Sequence, residues 1–233
     1  MNKILDTTVI FSAGFGTRMS PITKKIPKAL VNVGDKTLLD HTINLAKNGG
    51  IKKIIINTHY LSNQIEKHVK NYKDIKINCE QPEILDTGGG LKEISPQIKT
   101  SPIFTSNVDC IWSGPNPFEL LRKGWCEEKM DSLLLLVPIT NSLGYSGKGD
   151  FEKNKNGLVS RNKTCGMVYS GLQIIKHEIC LKNPKSVFSL NEIWDDLISK
   201  EKLYGIIYKG LWADVGAEKN IKLAEKLIEK KNV

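Results

Sequence analysis

No apolar run in this chain is long enough to cross a bilayer. The longest, Leu133 to Ile139, is about a third of the roughly 20 residues a spanning helix needs. A cleavable leader is also missing, because Asp6 interrupts a short polar start. These two absences predict a cytoplasmic protein with no membrane partner. Five cysteines (Cys79, Cys110, Cys126, Cys165, Cys180) are odd in number and contain no CxxC pair. That speaks against a disulfide framework and against a zinc site, and predicts reduced, buried thiols. Arginine is scarce: Arg18, Arg122 and Arg161 are the only three among 34 basic residues. The net charge of +9 would suit nucleic acid, yet the excess is lysine spread along the chain, without arginine clusters or interleaved aromatics. A polyanionic small substrate accounts for it better, and no nucleic-acid partner is expected.

Two familiar phosphate loops are absent as well. Nothing matches GxxxxGK[ST], and a GxGxxG fingerprint starting at Gly14 fails at Met19. Pro21 and Pro27 further stop the long helix that a dinucleotide fold needs there. What stands instead is VIFSAGFGTRMSPITKKIPKAL, from Val9 to Leu30, around which the chain is organised. Gly14 and Gly16 let the backbone turn tightly and bring N–H groups near an anion. Arg18 adds a fork of donors suited to phosphate oxygens, and Lys28 a mobile point charge.

The 233 residues suffice for one large α/β domain. Apolar runs and helical faces alternate up to residue 139: a strand at 9–11, a helix over 38–47, strands at 54–56 and 75–79 around a helix near Ile65 and Val69. Further strands at 102–107 and 132–139 alternate with helices over 89–94 and 117–127. This order predicts a doubly wound, mostly parallel sheet flanked by helices. Glycines and asparagines after Tyr145 predict short hairpin strands at Phe151 and 158–159, then a longer strand over 167–175. The expectation is a small β-rich lid over about 140–175, followed by a helix at 191–199, a strand at 204–208 and a closing helix at 217–230. Residues 1–139 and 140–233 would be two parts of a single unit.

Ligands in doubly wound folds sit beyond the carboxyl ends of the strands. Two aspartates there, Asp109 after Asn107-Val108 and Asp214 after Leu211-Trp212-Ala213, form a candidate magnesium pair. Magnesium takes oxygen ligands and commonly uses one or two carboxylates plus substrate phosphates. Either aspartate alone suits a cap or turn equally well. Asp86-Thr87-Gly88-Gly89-Gly90 before a helix offers free N–H groups for a base or sugar, opposite the Gln81 amide. Gly149-Asp150 and Ser170-Gly171 suit sugar hydroxyls and hairpin turns alike. His59 at a strand end suits a structural role, and Lys163 reads by default as surface charge.

The signature AG-x-G-T-R-M-x-P-(x)5-P-K, with INTHYLSNQIEKHV, LDTGGGLKEI, SNVD, GDF, MVYSGLQII, FSLNEIWDDLI and LWADVGAEKNI in order, resembles the sugar-1-phosphate nucleotidyltransferases along nearly the whole chain. The pattern is most similar to the N-acetylmuramate-1-phosphate uridylyltransferases, with mannose-1-phosphate guanylyltransferases close behind. The resemblance implies a Rossmann-like fold and a Mg²⁺-dependent enzyme that joins a nucleoside triphosphate to a sugar 1-phosphate, releasing pyrophosphate. It places Arg18 and Lys28 as the catalytic cations and Ala13, Gly14, Gly16, Thr17, Gln81, Thr87, Gly88 and Gly89 at the nucleotide. Asp109 and Asp214 become the metal ligands, and Gly149, Asp150, Ser170 and Gly171 the sugar contacts. Ser12, Ala29 and Val108 depart from the usual pattern, Val108 beside the metal aspartate. No hexapeptide β-helix follows Asp214, so acetyltransferase activity is not expected. A few contacts to one amide suit uridine, whereas guanine would call on a carboxylate such as Glu80 or Asp86. UTP and N-acetylmuramate 1-phosphate are the expected substrates, and the protein a monomer or homodimer. A non-catalytic binding module would have lost a metal carboxylate or the loop arginine, and both are present.

Overall fold

The computed structural model describes residues 5–162 and 166–229. In chain order the elements begin with β1 (Thr7–Phe11), the two-residue strands β2 (Asn32–Val33) and β3 (Lys36–Thr37), and α1 (Leu38–Asn48). There follow β4 (Lys53–Thr58), α2 (Ser62–Val69), β5 (Ile75–Cys79), α3 (Asp86–Ile94), β6 (Ile103–Asn107), β7 (Cys110–Ser113) and α4 (Pro117–Gly124). The second half holds β8 (Ser132–Pro138), β9 (Ser142–Leu143), β10 (Phe151–Lys153), β11 (Val159–Arg161) and β12 (Met167–Ile175). It closes with α5 (Leu190–Ser199), β13 (Leu203–Ile207), β14 (Leu211–Asp214) and α6 (Ile221–Glu229).

Nine strands form one mixed sheet in the order β11-β10-β12-β6-β1-β4-β5, with β8 against β12 and β13 against β8. The β1–β4, β1–β6, β4–β5 and β8–β13 pairs are parallel. β12 is antiparallel to both β6 and β8. Strands such as Ile54-Ile55-Ile56 and Leu133-Leu134-Leu135-Leu136 read as unbroken apolar runs because helices cover both faces of the sheet. Alternate side chains divide accordingly. Ile10, Ile54, Ile56 and Phe104 pack with Leu39 and Ile43 of α1 and Phe118 and Leu121 of α4. Val9, Ile55, Ile103 and Leu134 pack on the other side with Leu91 and Ile94 of α3 and Trp194 and Leu197 of α5.

Helix starts follow local chemistry. Thr37 caps α1 by accepting from the Asp40 N–H at 3.0 Å, while Asp40 accepts from the Thr37 N–H. Asn116 caps α4 with Pro117 in the first turn, and Ser189 caps α5.

Several expectations need correction. α3 begins at Asp86 rather than Gly89, so the three glycines lie inside the helix. α4 stops at Gly124, short of Glu127, and the last helix starts at Ile221 after a single 3-10 turn. The expected lid is the main sheet's own continuation: β10 and β11 form a hairpin at its edge. Separately, β9 joins β7 and β14 in a three-stranded sheet. Lys163, Cys165 and Lys230 lie outside the described residues. Of the other cysteines, Cys110 and Cys180 are buried and Cys79 and Cys126 half-buried, all as free thiols.

Candidate active site

β1 ends at Phe11 and delivers the glycine loop to the carboxyl edge of the sheet. Gly16 adopts φ +64°, and its carbonyl accepts from Thr23 Oγ1 at 2.9 Å and from the Met19 N–H at 2.9 Å. The loop wraps a cavity of about 250 Å³ lined by Ser12, Gly14, Gly16, Thr17, Arg18, Lys28, Asn107 and Asp109 among others. Arg18 is exposed and makes no hydrogen bond to another described residue, so its donors face the cavity unspent. Ser12 Oγ is buried in the same wall with no partner among the described residues. A buried hydroxyl without a partner is costly, and this one lies at a polar cavity. Ala13 does not line this cavity.

The two aspartates meet although 105 residues separate them (214 − 109). β14 runs antiparallel to β7, pairing Asp214 with Cys110, and the Val215 N–H donates to the Asp109 carbonyl at 2.9 Å. Lys28 Nζ donates to Asp109 Oδ2 at 2.5 Å, with the side chains only 13% and 19% exposed. Burial pushes the Asp109 carboxyl up, but the charge and hydrogen bond of Lys28 overcome it and hold it below the usual value. Asp214 goes the other way: burial and repulsion by Asp109 raise it, against weaker pulls from Lys28 and Arg18. A methyl group placed on Gly216 would sit 2.8 Å from both Arg18 Nη1 and Asp214 Oδ1, so cation and carboxylate converge on this glycine. Lys28 is therefore not a free phosphate hook in this structure; it is the counter-ion of Asp109. Val108, the bulky departure, is buried with the α1-side core, its carbonyl accepting from Thr42 Oγ1, so its volume is absorbed by packing.

Beyond the carboxylates a second cavity, about 180 Å³, is lined by Arg18, Asn107, Asp109, Tyr145, Asp150, Tyr169, Ser170, Gly171, Trp212 and Asp214. Asp150 accepts from the Tyr169 N–H at 2.8 Å and from Tyr145 OH at 3.4 Å. Gly171 has φ +84°, at the register shift in β12, and a Cβ there would stand 2.8 Å from Asn107 Cβ. Its glycine identity is explained by that close approach. Ser170 is buried and its hydroxyl accepts from the Leu172 N–H, while its carbonyl takes bonds from Cys110 Sγ and Trp212 Nε1. Its hydroxyl serves the bulge. Gly149 lines neither cavity; its N–H donates to Tyr145 OH.

The base side needs the largest correction. The Gly88 and Gly89 N–H groups, expected to be free, both donate to the Phe188 carbonyl at 3.0 Å. Added Cβ atoms would strike Phe188 and the Ser186 carbonyl at 2.4 and 2.1 Å, so these glycines admit the 186–188 segment. Glu80 is fully buried, accepting from Asn57 Nδ2 and the Leu85 N–H, each at 2.8 Å. It has no oxygen to offer guanine. Gln81 is exposed and lines none of these cavities, whereas Thr87 lines a third. His59 donates from Nδ1 to the Glu80 carbonyl at 3.0 Å, in keeping with a structural role.

Asn107 is the residue that the sequence reading passed over. It lines all three cavities from the end of β6, and its amide has no partner among the described residues. Its place two residues before Asp109, at a strand end, was the available signal.

A cleft at the carboxyl edge of a doubly wound sheet, with a glycine loop, an unspent arginine and two convergent carboxylates, defines a nucleotidyltransferase-type site. Residues 7–111 match the family described as nucleotidyl transferase. The chain is 34% identical to the N-acetylmuramate alpha-1-phosphate uridylyltransferase of Caulobacter vibrioides over 93% of this chain and 94% of that protein. It is 28% identical to the mannose-1-phosphate guanyltransferase of Saccharomyces cerevisiae over 91% of this chain but only 62% of that one. In fold it is similar to the crystal structure of HddC from Yersinia pseudotuberculosis complexed with GMP-PN, with a TM-score of 0.76 at 22% identity, covering 95% and 99% of the two chains. The chain belongs to the sugar-1-phosphate nucleotidyltransferases. Among the described residues no helix is long and apolar enough to cross a membrane.

Proposed function

We propose that the protein joins UTP to N-acetylmuramate 1-phosphate, giving the uridine diphosphate sugar and pyrophosphate. The observation that carries the reaction is the continuity of the first two cavities through Arg18, Asn107 and Asp109, which sets a space lined by the glycine loop, Arg18 and Lys28 beside one lined by Tyr145, Asp150 and Tyr169. The choice of substrates rests on likeness to the Caulobacter vibrioides enzyme along almost the full length of both chains. Gln81, exposed at the end of β5, is the proposed reader of the uracil edge.

In this reading a phosphate oxygen of the sugar 1-phosphate attacks the α-phosphorus in line, and pyrophosphate leaves with the electron pair of the broken P–O bond. Such transfers gain from positioning and charge stabilisation rather than from a protein nucleophile. Arg18, whose donors are unspent, neutralises charge on the departing pyrophosphate. Ser12 Oγ and the loop backbone orient the triphosphate. Lys28 keeps Asp109 ionised until substrate phosphates compete for its ammonium.

The carboxylate pair fits magnesium. Its donors are oxygens only, the two charges repel each other, and among the described residues no third His, Cys, Asp or Glu completes a closed cage. That leaves room for waters and phosphate oxygens, as magnesium prefers. Asp109 and Asp214 would hold Mg²⁺, which supplies charge neutralisation to the phosphates when bound. We further place the protein in the cytoplasm as a monomer or homodimer, with residues 1–233 working as one unit.

The test is pyrophosphate release with equal UTP, GTP, CTP and dTTP against N-acetylmuramate 1-phosphate or mannose 1-phosphate. Preference for UTP with the sugar acid is expected. Preference for GTP with mannose 1-phosphate would overturn the substrates and leave the reaction class standing. Nucleotide binding without turnover of any pair would instead favour a non-catalytic module.

A further inference from the structure

Past the sugar cavity lies a third chamber of about 280 Å³, larger than the sugar cavity itself, which the transfer chemistry leaves unused. The two share Asn107, Asp150 and Tyr169 as common walls, so a substituent on the sugar can pass from one into the other. Among the described residues Arg161, at the end of β11, is the one cation lining this chamber. It is also one of just three arginines in the chain.

Its guanidinium is held on three sides. Nε donates to Asp195 Oδ1 at 2.7 Å, Nη1 to Asn191 Oδ1 at 2.9 Å, and Nη2 to the Asn191 carbonyl at 3.1 Å. The group also stacks 4.8 Å above the Phe151 ring. A guanidinium carries five N–H donors. Three are spent, so one remains on each terminal nitrogen. Asp195 is 61% exposed and screened by water, and it cancels the charge only in part. The chamber's own carboxylates do not compete for the group. Asp150 is bound to Tyr145 and the Tyr169 N–H, and Asp86 accepts from the Thr87 N–H. The result is a cation fixed in the chamber wall with a donor left on each terminal nitrogen, a group suited to a carboxylate.

We propose that Arg161 reads a carboxylate borne by the sugar, making it the residue that selects a sugar acid over the neutral sugar. The inference rests on the sugar assignment above. N-acetylmuramate differs from N-acetylglucosamine by a lactyl ether, whose ionised carboxylate would reach into this chamber while the 1-phosphate stays at Arg18 and the aspartates. Anchoring by α5 and the Phe151 ring means that little side-chain entropy is lost on binding.

The experiment compares kcat/KM for N-acetylmuramate 1-phosphate with that for its carboxamide, which has the same shape and no charge, using the whole chain and saturating UTP. The wild type should favour the acid by about 10- to 100-fold, the worth of a charge-assisted pair. Arg161→Gln should bring that ratio close to one, and Arg161→Lys should restore part of it. A variant in which both substrates fall together with the ratio unchanged would show that Arg161 merely braces β11 against α5, and would overturn the assignment. Equal use of acid and amide by the wild type would overturn it too. Failure of the wild type to use N-acetylmuramate 1-phosphate while turning over mannose 1-phosphate would overturn the sugar reading along with it.

Discussion

Neutralising the two site aspartates one at a time should change stability in opposite directions and activity in the same direction. Asp109 is the counter-ion of Lys28 at 2.5 Å, and both side chains are mostly buried. Asp109→Asn keeps the shape but leaves an ammonium facing an amide. Removing one partner of a fully buried pair costs about 3–5 kcal/mol. Partial exposure here reduces that to about 2 kcal/mol. For a chain of 233 residues this lowers Tm by about 4–8 °C. Asp214 is the strained member, raised by burial and by Asp109. Asp214→Asn removes the repulsion and retains an oxygen for the Gly216 N–H, so Tm should hold or rise by up to about 4 °C. Both variants should lose about 100-fold or more in metal-dependent turnover.

The pH dependence follows from the same pair. A carboxyl raised in the folded state adds stability that is complete below its unfolded value of 3.8 and is lost as pH rises through the folded one. Metal-free wild type should therefore lose Asp214's contribution on rising from pH 4 towards neutrality, and Asp214→Asn should flatten that slope. Asp109, lowered by Lys28, contributes above 3.8 and loses that contribution as pH falls through its folded value. Adding Mg²⁺ at neutral pH should raise Tm in the wild type and in neither variant. Differential scanning calorimetry in chelator, repeated with metal, reads all of this. A fall in Tm for Asp214→Asn as large as that for Asp109→Asn would refute the reasoning.

Two further outcomes are expected. Arg18→Ala should lower kcat by about 100- to 1,000-fold with Tm nearly unchanged, because an exposed side chain free of hydrogen bonds contributes little packing. Near-normal pyrophosphate release at saturating substrate would refute it. Ser12→Ala should raise KM for the nucleotide several-fold without loss of stability, since the hydroxyl is buried with no partner among the described residues. An unchanged KM would show that the hydroxyl meets no ligand.

Strand ends were where the sequence was most informative. Buried parallel strands write themselves as apolar runs, and a polar residue straight after one is visible without a structure. Asp109 was singled out that way past β6, whereas Asp214 ends β14 of the separate three-stranded sheet. Their distance and their opposite electrostatics were not visible, because β14 returns to β7 only through the folding of everything between. Lys28 shows the same limit. Its proximity to the loop was readable, and its pairing with Asp109 was not.

Glycines mark the deeper boundary between what a sequence states and what a fold decides. A glycine records that something comes close to the backbone, and it does not record what. At Gly171 the visitor is the Asn107 side chain, which lines all three cavities, so packing against that residue accounts for the glycine. At Gly88 and Gly89 the visitor is the chain itself, the 186–188 segment about 100 residues away. A base cannot take N–H groups already given to the Phe188 carbonyl. That same packing sets the start of α5 beside Thr87, whose hydroxyl accepts from the Leu190 N–H. Asn191, one residue on, then grips Arg161 through both its side chain and its carbonyl. The glycine run thus acts on the third chamber, by seating the helix that holds Arg161.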